Sequence, residues 1–261
     1  MTPARTMNNG NQCTVILIHG AWHTPDCWDA VIARLKQKKF PAIAPLLHQS
    51  RHDSHTGHYP GEIQTLLKHI RENDLNQIVL IGHSHAGTII SELAGLIPQH
   101  INHLIFLNAF VPVKGKSIMD DLPRFHKKVL FDLAKASGDE TILLPYTVWE
   151  DTFMNGAEPK LIKKIYRQLI PEHINRFTRP STTIPVSDIN IPKTYIHAED
   201  DIALPQGKWG WVPRMPARLG DHQLVRIAGN HEVLFTAPDI VADAILQSLQ
   251  TGKLSSSRGQ L

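Results

Sequence analysis

Three short segments carry a serine, an aspartate and a histidine that together could perform acyl transfer. Ser84 lies in GHSHAG, residues 82–87, directly after an apolar run. Asp201 lies in HAEDDIALP, and His231 lies in AGNHEV. In such a set the histidine takes the proton of the serine hydroxyl and later returns it to the leaving alkoxide, while the aspartate orients the histidine. The order serine, aspartate, histidine is one of those known for this kind of triad.

The residues around Ser84 predict a sharp turn between a buried strand and a helix. Such a turn holds the serine in a strained backbone conformation and lifts its hydroxyl above the sheet, and small neighbours leave room for the backbone. Ala86 stands where a second glycine is usual in G-x-S-x-G, and Gly87 follows it. The alternative is that Ser84 only caps the following helix, since short motifs also arise by chance.

A loop early in the chain predicts the groups that would stabilise a negatively charged oxygen. Residues 17–22 read LIHGAW, with His19 and Gly20 directly after an apolar run. We predict that the backbone N–H groups of Ala21 and His85 form a two-donor oxyanion hole. The alternative is an ordinary strand-to-helix turn, because glycine after a strand is a general turn signal.

Two adjacent aspartates are candidates for the acidic role. A carboxylate at the carboxyl end of a parallel strand is well placed to orient a histidine at the same edge of the sheet. Asp201 is the first choice, with Pro205 closing the loop after it, and Asp200 is the second. At least one of the two could instead cap the helix that follows.

The segments between these loops alternate between predicted strands and predicted helices. The strands are expected at residues 14–18, 41–44, 78–81, 104–107, 194–196 and 223–227. The helices are expected at residues 25–38, 62–72, 84–96 and 240–249. This alternation predicts an α/β fold, a mainly parallel twisted sheet flanked by helices and joined by right-handed crossovers.

One segment interrupts the alternation. Residues 112–187 contain amphipathic pieces and several prolines but no apolar run typical of a buried strand. We predict a helical cap inserted into a single domain whose core spans about 13–111 and 188–250, followed by a frayed polar tail at 251–261. A pocket between cap and core would be lined by apolar groups. Its candidate substrate-binding residues are Trp22, Trp149 and Phe153, to which the family resemblance described below adds Glu232.

Composition excludes several classes of protein. The 261 residues are 42% hydrophobic and 20% charged, which excludes disordered and fibrous chains. The net charge is only +3, with no run of five like charges, so no nucleic-acid partner is expected. No stretch approaches the roughly 20 apolar residues of a membrane span, and the N-terminus lacks the apolar core of a signal peptide. We therefore expect a cytoplasmic protein, monomeric or homodimeric, with no membrane partner.

No metal or organic cofactor is predicted. Two cysteines, Cys13 and Cys27, are too few for a disulfide framework or a four-ligand zinc site and are expected to be buried thiols. Four histidines between His48 and His58 could bind an adventitious metal, because imidazole suits zinc, nickel or copper.

As a set, these motifs resemble the α/β-hydrolase superfamily, and within it the plant methylesterase and hydroxynitrile lyase group with its bacterial esterase relatives. The motifs that carry the resemblance are HGAW at 19–22, GHSHAG at 82–87, D-x-x-x-P at 201–205 and GNH at 229–231. The resemblance implies a serine carboxylic-ester hydrolase that acts on small, mostly apolar esters through an acyl-enzyme intermediate. A small-molecule ester is then the expected partner.

The resemblance also implies alternatives. In lyases of this group a threonine follows the first-loop histidine and a lysine follows the catalytic histidine, but here Gly20 and Glu232 hold those positions. An anion at Glu232 would repel cyanide, which disfavours the lyase reaction. A lactone or C–C bond hydrolase would use the same triad, and a ligand receptor on this scaffold would bind without turnover.

Overall fold

The computed structural model describes residues 13–47 and 61–256, with the backbone alone for 251–256. The histidine-rich segment at 48–58 lies outside the described residues, so its possible metal binding stays a prediction.

A six-stranded parallel sheet forms the centre of the protein. The strands of the described chain are β1 (Thr14–Ile18), β2 (Ala42–Ile43), β3 (Ile78–His83), β4 (Ile101–Leu107), β5 (Thr141–Ile142), β6 (Glu172–His173), β7 (Lys193–Ala198) and β8 (Gln223–Ile227). The central sheet has the order β2-β1-β3-β4-β7-β8, and every neighbouring pair is parallel. The predicted α/β architecture is confirmed.

Helices pack on both faces of this sheet, and further helices lie in the segment between β4 and β7. They are α1 (Asp29–Gln37), α2 (Gly61–Glu72), α3 (Ala86–Leu96), α4 (Arg124–Ser137), α5 (Tyr146–Val148), α6 (Pro159–Tyr166), α7 (Asn175–Thr178), α8 (Val233–Thr236) and α9 (Pro238–Ser256). A 3-10 turn, Pro25–Trp28, precedes α1, and a π-helical turn, Trp149–Phe153, follows α5. The last helix continues to Ser256 and so includes the first part of the segment predicted to be frayed.

The apolar runs become strands because both of their faces are buried. Successive side chains of a strand point to opposite faces, so Ile16 and Ile18 pack in one apolar cluster while Val15 and Leu17 pack in the other. The second cluster includes the fully buried Trp28. Each fully buried aliphatic side chain contributes roughly 1.5–3 kcal/mol to the free energy of unfolding.

The segment predicted as a cap leaves the sheet after β4 and returns to it at β7, and these two strands are neighbours in the sheet. It contains α4 to α7 together with an antiparallel ribbon of β5 and β6. Two-residue strands leave no alternation in the sequence, so nothing in the pattern indicated this ribbon. Buried cap residues such as Ile162 and Phe177 belong to the same apolar cluster as Ile16 of the sheet.

Within residues 13–47 and 61–256, no helix combines the length and the hydropathy that crossing a membrane requires.

Candidate active site

Ser84 lies at the sharp bend between β3 and α3. Its φ of +54° is the left-handed conformation that non-glycine residues rarely adopt. A Cβ on Gly82 would lie 2.8 Å from the carbonyl oxygen of Ala86, and a Cβ on Gly87 would lie 2.1 Å from that of Phe110. The backbone therefore needs glycine at positions 82 and 87 but accepts alanine at 86. The helix begins at Ala86, two residues after the predicted start.

The structure brings Ser84, His231 and Asp201 into one hydrogen-bonded chain. The Ser84 hydroxyl lies 3.0 Å from His231 Nε2, and His231 Nδ1–H donates to Asp201 Oδ2 over 2.7 Å. Asp201 follows β7 and His231 follows β8, so both reach the carboxyl edge of the sheet, where Ser84 follows β3. Asp201 and His231 are each 1% exposed. Such an arrangement can transfer a proton from the serine to the histidine.

The two candidate aspartates have different partners. Asp201 Oδ1 accepts from the N–H of Ala203 over 2.9 Å, so both of its carboxylate oxygens are engaged. Asp200 is exposed, and its Oδ2 accepts from the N–H of Gly229 over 3.1 Å. Asp200 thus holds the loop that carries His231, whereas Asp201 contacts the imidazole itself.

The surroundings of His231 favour its protonated form. Burial alone would lower the pKa of His231, but the charge and hydrogen bond of Asp201, together with the charge of Glu232, outweigh burial and raise the pKa above its ordinary value of 6.5. Trp211 stacks on the imidazole, with ring centroids 5.5 Å apart, and Phe153 meets it edge-on at 5.2 Å. These contacts fix the ring plane.

The predicted oxyanion donors come from two segments beside Ser84: His85 follows it in the chain, and a Cβ on Gly20, which precedes Ala21, would lie 3.1 Å from the Ser84 Cβ. Ala21 and His85 are both buried and both line the cavity above the serine. Within the described chain, no group accepts a hydrogen bond from the backbone N–H of either residue. Two unengaged N–H groups beside a nucleophile can stabilise a developing oxyanion.

A cavity of about 390 Å³ lies above Ser84 between the sheet edge and the cap. It is lined by Ala21, Trp22, Ser84, His85, Phe110, Ile118, Leu122, Phe125, His126, Val129, Leu130, Leu144, Val148, Thr152, Phe153, Phe177, Ile202, Ala203, Leu204, Pro205, Trp211 and His231. No aspartate, glutamate, lysine or arginine is among these residues. The cavity therefore suits an uncharged, largely apolar molecule.

Two of the four predicted substrate-binding residues, Trp22 and Phe153, line this cavity, and the other two do not. Trp149 is fully buried and stacks on Phe153, with ring centroids 5.3 Å apart and ring planes within 10° of parallel. The π-helical turn places the two rings on one side of the chain, one behind the other. Trp149 therefore supports the cavity wall from behind.

Glu232 also lies outside the cavity. It is 1% exposed, and His23 Nε2–H donates to its Oε2 over 3.1 Å. Burial would raise the pKa of Glu232, but the charge and hydrogen bond of His23, and the nearby His83 and His231, lower it to about 2. The carboxylate is therefore ionised, and the prediction that it faces the substrate is wrong. Glu232 would therefore not contact a bound cyanide, although its charge still reaches His231 and the position lacks the lysine of the lyases.

His83 packs beneath His231. Its Nε2–H donates to the backbone carbonyl of His231 over 2.9 Å, and burial lowers its pKa to about 3. His83, His231 and Glu232 offer possible metal-ligand atoms within 4.8 Å of one another. However, the His231 nitrogens already contact Ser84 and Asp201, and Glu232 is paired with His23, so this donor set does not fit a metal.

Comparisons with known proteins agree with this architecture. The family model described as "Alpha/beta hydrolase family" matches residues 15–244. A carbendazim hydrolyzing esterase of Nocardioides sp. is 26% identical over 88% of this chain and 97% of its own length. A pyrethroid hydrolase of Sphingobium wenxiniae is 25% identical over 88% of this chain and 85% of its own.

A solved structure gives the same picture. An extracellular alpha/beta-hydrolase from a Paenibacillus species, described as sharing structural and functional homology with tobacco salicylic acid binding protein 2, superposes with a TM-score of 0.84. It is 28% identical, and the match covers 90% of this chain and 98% of that one.

Proposed function

The chain belongs to the alpha/beta hydrolase family, and from that premise we propose that it is a serine carboxylic-ester hydrolase acting on small, mostly apolar esters through an acyl-enzyme intermediate. The observation that carries the proposal is the hydrogen-bonded chain from Ser84 through His231 to Asp201 beneath an apolar cavity. The esterase of Nocardioides and the pyrethroid hydrolase of Sphingobium, both relatives over most of their length, support a hydrolytic reaction.

The reaction begins with attack of Ser84 Oγ on the ester carbonyl. The hydroxyl proton passes to His231 Nε2, and Asp201 stabilises the imidazolium through its hydrogen bond to Nδ1. The backbone N–H groups of Ala21 and His85 donate to the oxyanion of the tetrahedral intermediate. When the C–O bond to the alcohol breaks, His231 returns the proton to the leaving alkoxide and the acyl group stays on Ser84.

Hydrolysis of the acyl-enzyme repeats these steps with water as the nucleophile. His231 takes a proton from the water, the hydroxide adds to the acyl carbonyl, and the same two N–H groups hold the oxyanion. Collapse of this intermediate breaks the bond to Ser84 Oγ, which recovers its proton from His231. The free acid and the resting enzyme result.

The cavity lining supports the substrate class. Its walls consist mainly of aliphatic and aromatic side chains, so an apolar acyl or alcohol group leaves water on binding, which contributes about 25 cal/mol per Å² buried. A charged substituent would lose its hydration there without finding an opposite charge. We therefore expect neutral esters to be preferred over esters that carry a carboxylate or an ammonium group.

The test is the hydrolysis of p-nitrophenyl butyrate by the wild type, Ser84→Ala and the control Ser187→Ala, whose exposed hydroxyl bonds Asp188. Loss of the nucleophile should lower kcat by about 10⁴-fold or more, whereas the control should retain wild-type kcat. An organophosphonate should label the wild type stoichiometrically, and peptide mapping should find the label on Ser84. Equal rates for Ser84→Ala and wild type, or a label on another residue, would contradict the proposal.

A further inference from the structure

The cap binds the loop that carries one of the proposed oxyanion donors. Trp22 follows Ala21 directly and has a φ of +65°, in the left-handed region. Its N–H donates to Glu172 Oε2 over 3.2 Å, its indole Nε1–H donates to the carbonyl of Ile142 over 2.8 Å, and its carbonyl accepts from the N–H of Ile170 over 2.9 Å. These two acceptors and this donor all lie beyond β4, in the cap. The backbone conformation beside Ala21 is therefore set by cap residues.

A buried ion pair anchors this contact. Glu172 is fully buried, and Arg176 Nη1 donates to its Oε2 over 2.6 Å, the same oxygen that accepts from Trp22. Arg176 Nη2 lies 3.1 Å from Glu62 Oε1 on α2 of the core. A buried charge without its partner is strongly unfavourable, so Glu172 and Arg176 hold each other in place. Arg176 in turn links the cap to the core.

Arg176 also holds the second proposed donor. The imidazole of His85 donates from Nε2–H to the backbone carbonyl of Arg176 over 3.2 Å. Burial lowers the pKa of His85 well below its ordinary value, so the ring is neutral and carries one N–H. The short segment from Glu172 to Arg176 thus contacts the residue after Ala21 through a carboxylate and contacts His85 through a carbonyl.

We propose that Glu172 and Arg176 are positioning residues for the oxyanion hole: by binding Trp22 and His85 they set the spacing of the two backbone N–H groups beside Ser84. The proposal rests on the proposed ester hydrolysis. Oxyanion stabilisation depends on donors 2.7–3.1 Å from the oxyanion, so a small displacement weakens binding of the transition state more than binding of the ester. Loss of the pair should therefore lower kcat and leave KM nearly unchanged.

The chain offers a matched control in a second ion pair between cap and core. Arg179 Nη2 donates to both carboxylate oxygens of Glu92, over 3.3 and 3.1 Å, and Glu92 is buried on α3. Within the described residues, this pair makes no hydrogen bond to Trp22 or His85. Its loss should therefore loosen the attachment of the cap without moving the oxyanion donors.

The experiment compares Glu172→Gln with Glu92→Gln in hydrolysis of p-nitrophenyl butyrate. We expect Glu172→Gln to lower kcat between about 10- and 100-fold with KM within about twofold of wild type, and Glu92→Gln to change kcat less than about threefold. A trifluoromethyl ketone, which forms a tetrahedral adduct with the serine, should bind Glu172→Gln more weakly by the same factor as kcat. Neutral butyramide, which forms no tetrahedral adduct with the serine, should bind both variants equally well. A purely structural role would lower Tm in both variants without a difference between them in kcat or in binding of the ketone.

Equal loss of kcat in the two variants, or a rise in KM alone for Glu172→Gln, would overturn the proposal. If Glu172→Gln does not fold, Arg176→Lys is compared with Arg179→Lys, because lysine keeps the charge but loses the planar fork that matches a carboxylate. The same criteria then apply. Ser84→Ala is assayed in parallel, and turnover by this variant would contradict the proposed hydrolysis itself. If Ser84→Ala is inactive but the two ion-pair variants lose kcat equally, only the positioning role is refuted.

Discussion

The candidate site has two halves that the fold builds in different ways. On the sheet side, Ser84, Asp201 and His231 each follow a parallel strand within a few residues, so the sheet itself aligns them at one edge. On the cap side, the cavity wall and the Glu172–Arg176 pair reach the site through long-range packing and buried ion pairs. Strand ends thus position the candidate reacting groups directly, while the cap lines the cavity and, as proposed, adjusts the oxyanion donors.

The largest effect on the sheet side is expected from Asp201→Asn. Without the carboxylate, His231 loses the acceptor that orients its ring and stabilises the imidazolium, so kcat for p-nitrophenyl butyrate should fall about 10⁴-fold at neutral pH. Asp200→Asn is the matched control, because its side chain bonds only the N–H of Gly229, and it should lose less than about 10-fold. Comparable losses in both variants would show that direct contact with the imidazole gives Asp201 no larger role than Asp200.

A smaller effect is expected from Leu130→Ala on the cap side. Leu130 is buried and lines the cavity, so its truncation removes apolar contact with the substrate worth about 1–3 kcal/mol. KM for p-nitrophenyl butyrate should therefore rise about 10-fold, with a smaller change in kcat. Phe131→Ala, at an exposed residue of the same helix outside the cavity, should leave both constants near wild type. A fall in kcat that exceeds the rise in KM would show that the cap wall contributes to the chemical step. The sheet side and the cap side would then not differ in the step that they affect.

The smallest effect is expected from Glu232→Gln and appears in the pH profile. Since His231 must be neutral to accept a proton, kcat/KM of the wild type should fall as the pH drops through the raised pKa of His231. Removal of the negative charge of Glu232 lowers that pKa, so the acidic limb should move to lower pH. Glu199→Gln, an exposed carboxylate paired with Arg226, should leave the limb in place. A shift to higher pH, or none, would show that Glu232 does not act on His231 through its charge.

The sequence predicted the sheet side well because each of its residues lies in a short motif beside an apolar run. Ser84, Asp201 and His231 each follow a predicted strand, and the carboxyl ends of parallel strands meet at one edge of the sheet. Their proximity could therefore be inferred from the sequence. The choice between Asp200 and Asp201 needed the structure, because adjacent residues point in different directions and the spacing alone allows either. Even there, the local pattern limited the carboxylate beside His231 to two adjacent residues.

The cap side was harder to predict because its roles depend on contacts between distant segments. Trp149 was assigned to the cavity from its residue type and Glu232 from its position after His231 in the family resemblance. Stacking on Phe153 and pairing with His23 hold both behind the cavity wall. Glu172 and Arg176 resemble any surface i,i+4 pair in the sequence, and only burial against Trp22 distinguishes them. A buried charge carries no local signature when its partner lies elsewhere in the chain.

The adjacency of β4 and β7 has an evolutionary consequence. Leu104 pairs with Lys193 and Leu107 with Ile196, so the excursion between the two strands departs and re-enters at the same place in the sheet. A lineage can exchange this excursion for one of another length without altering the register of any strand. Any replacement must still supply an acceptor for the N–H of Trp22 and a donor for its carbonyl. This requirement limits which cap sequences can be combined with the same sheet.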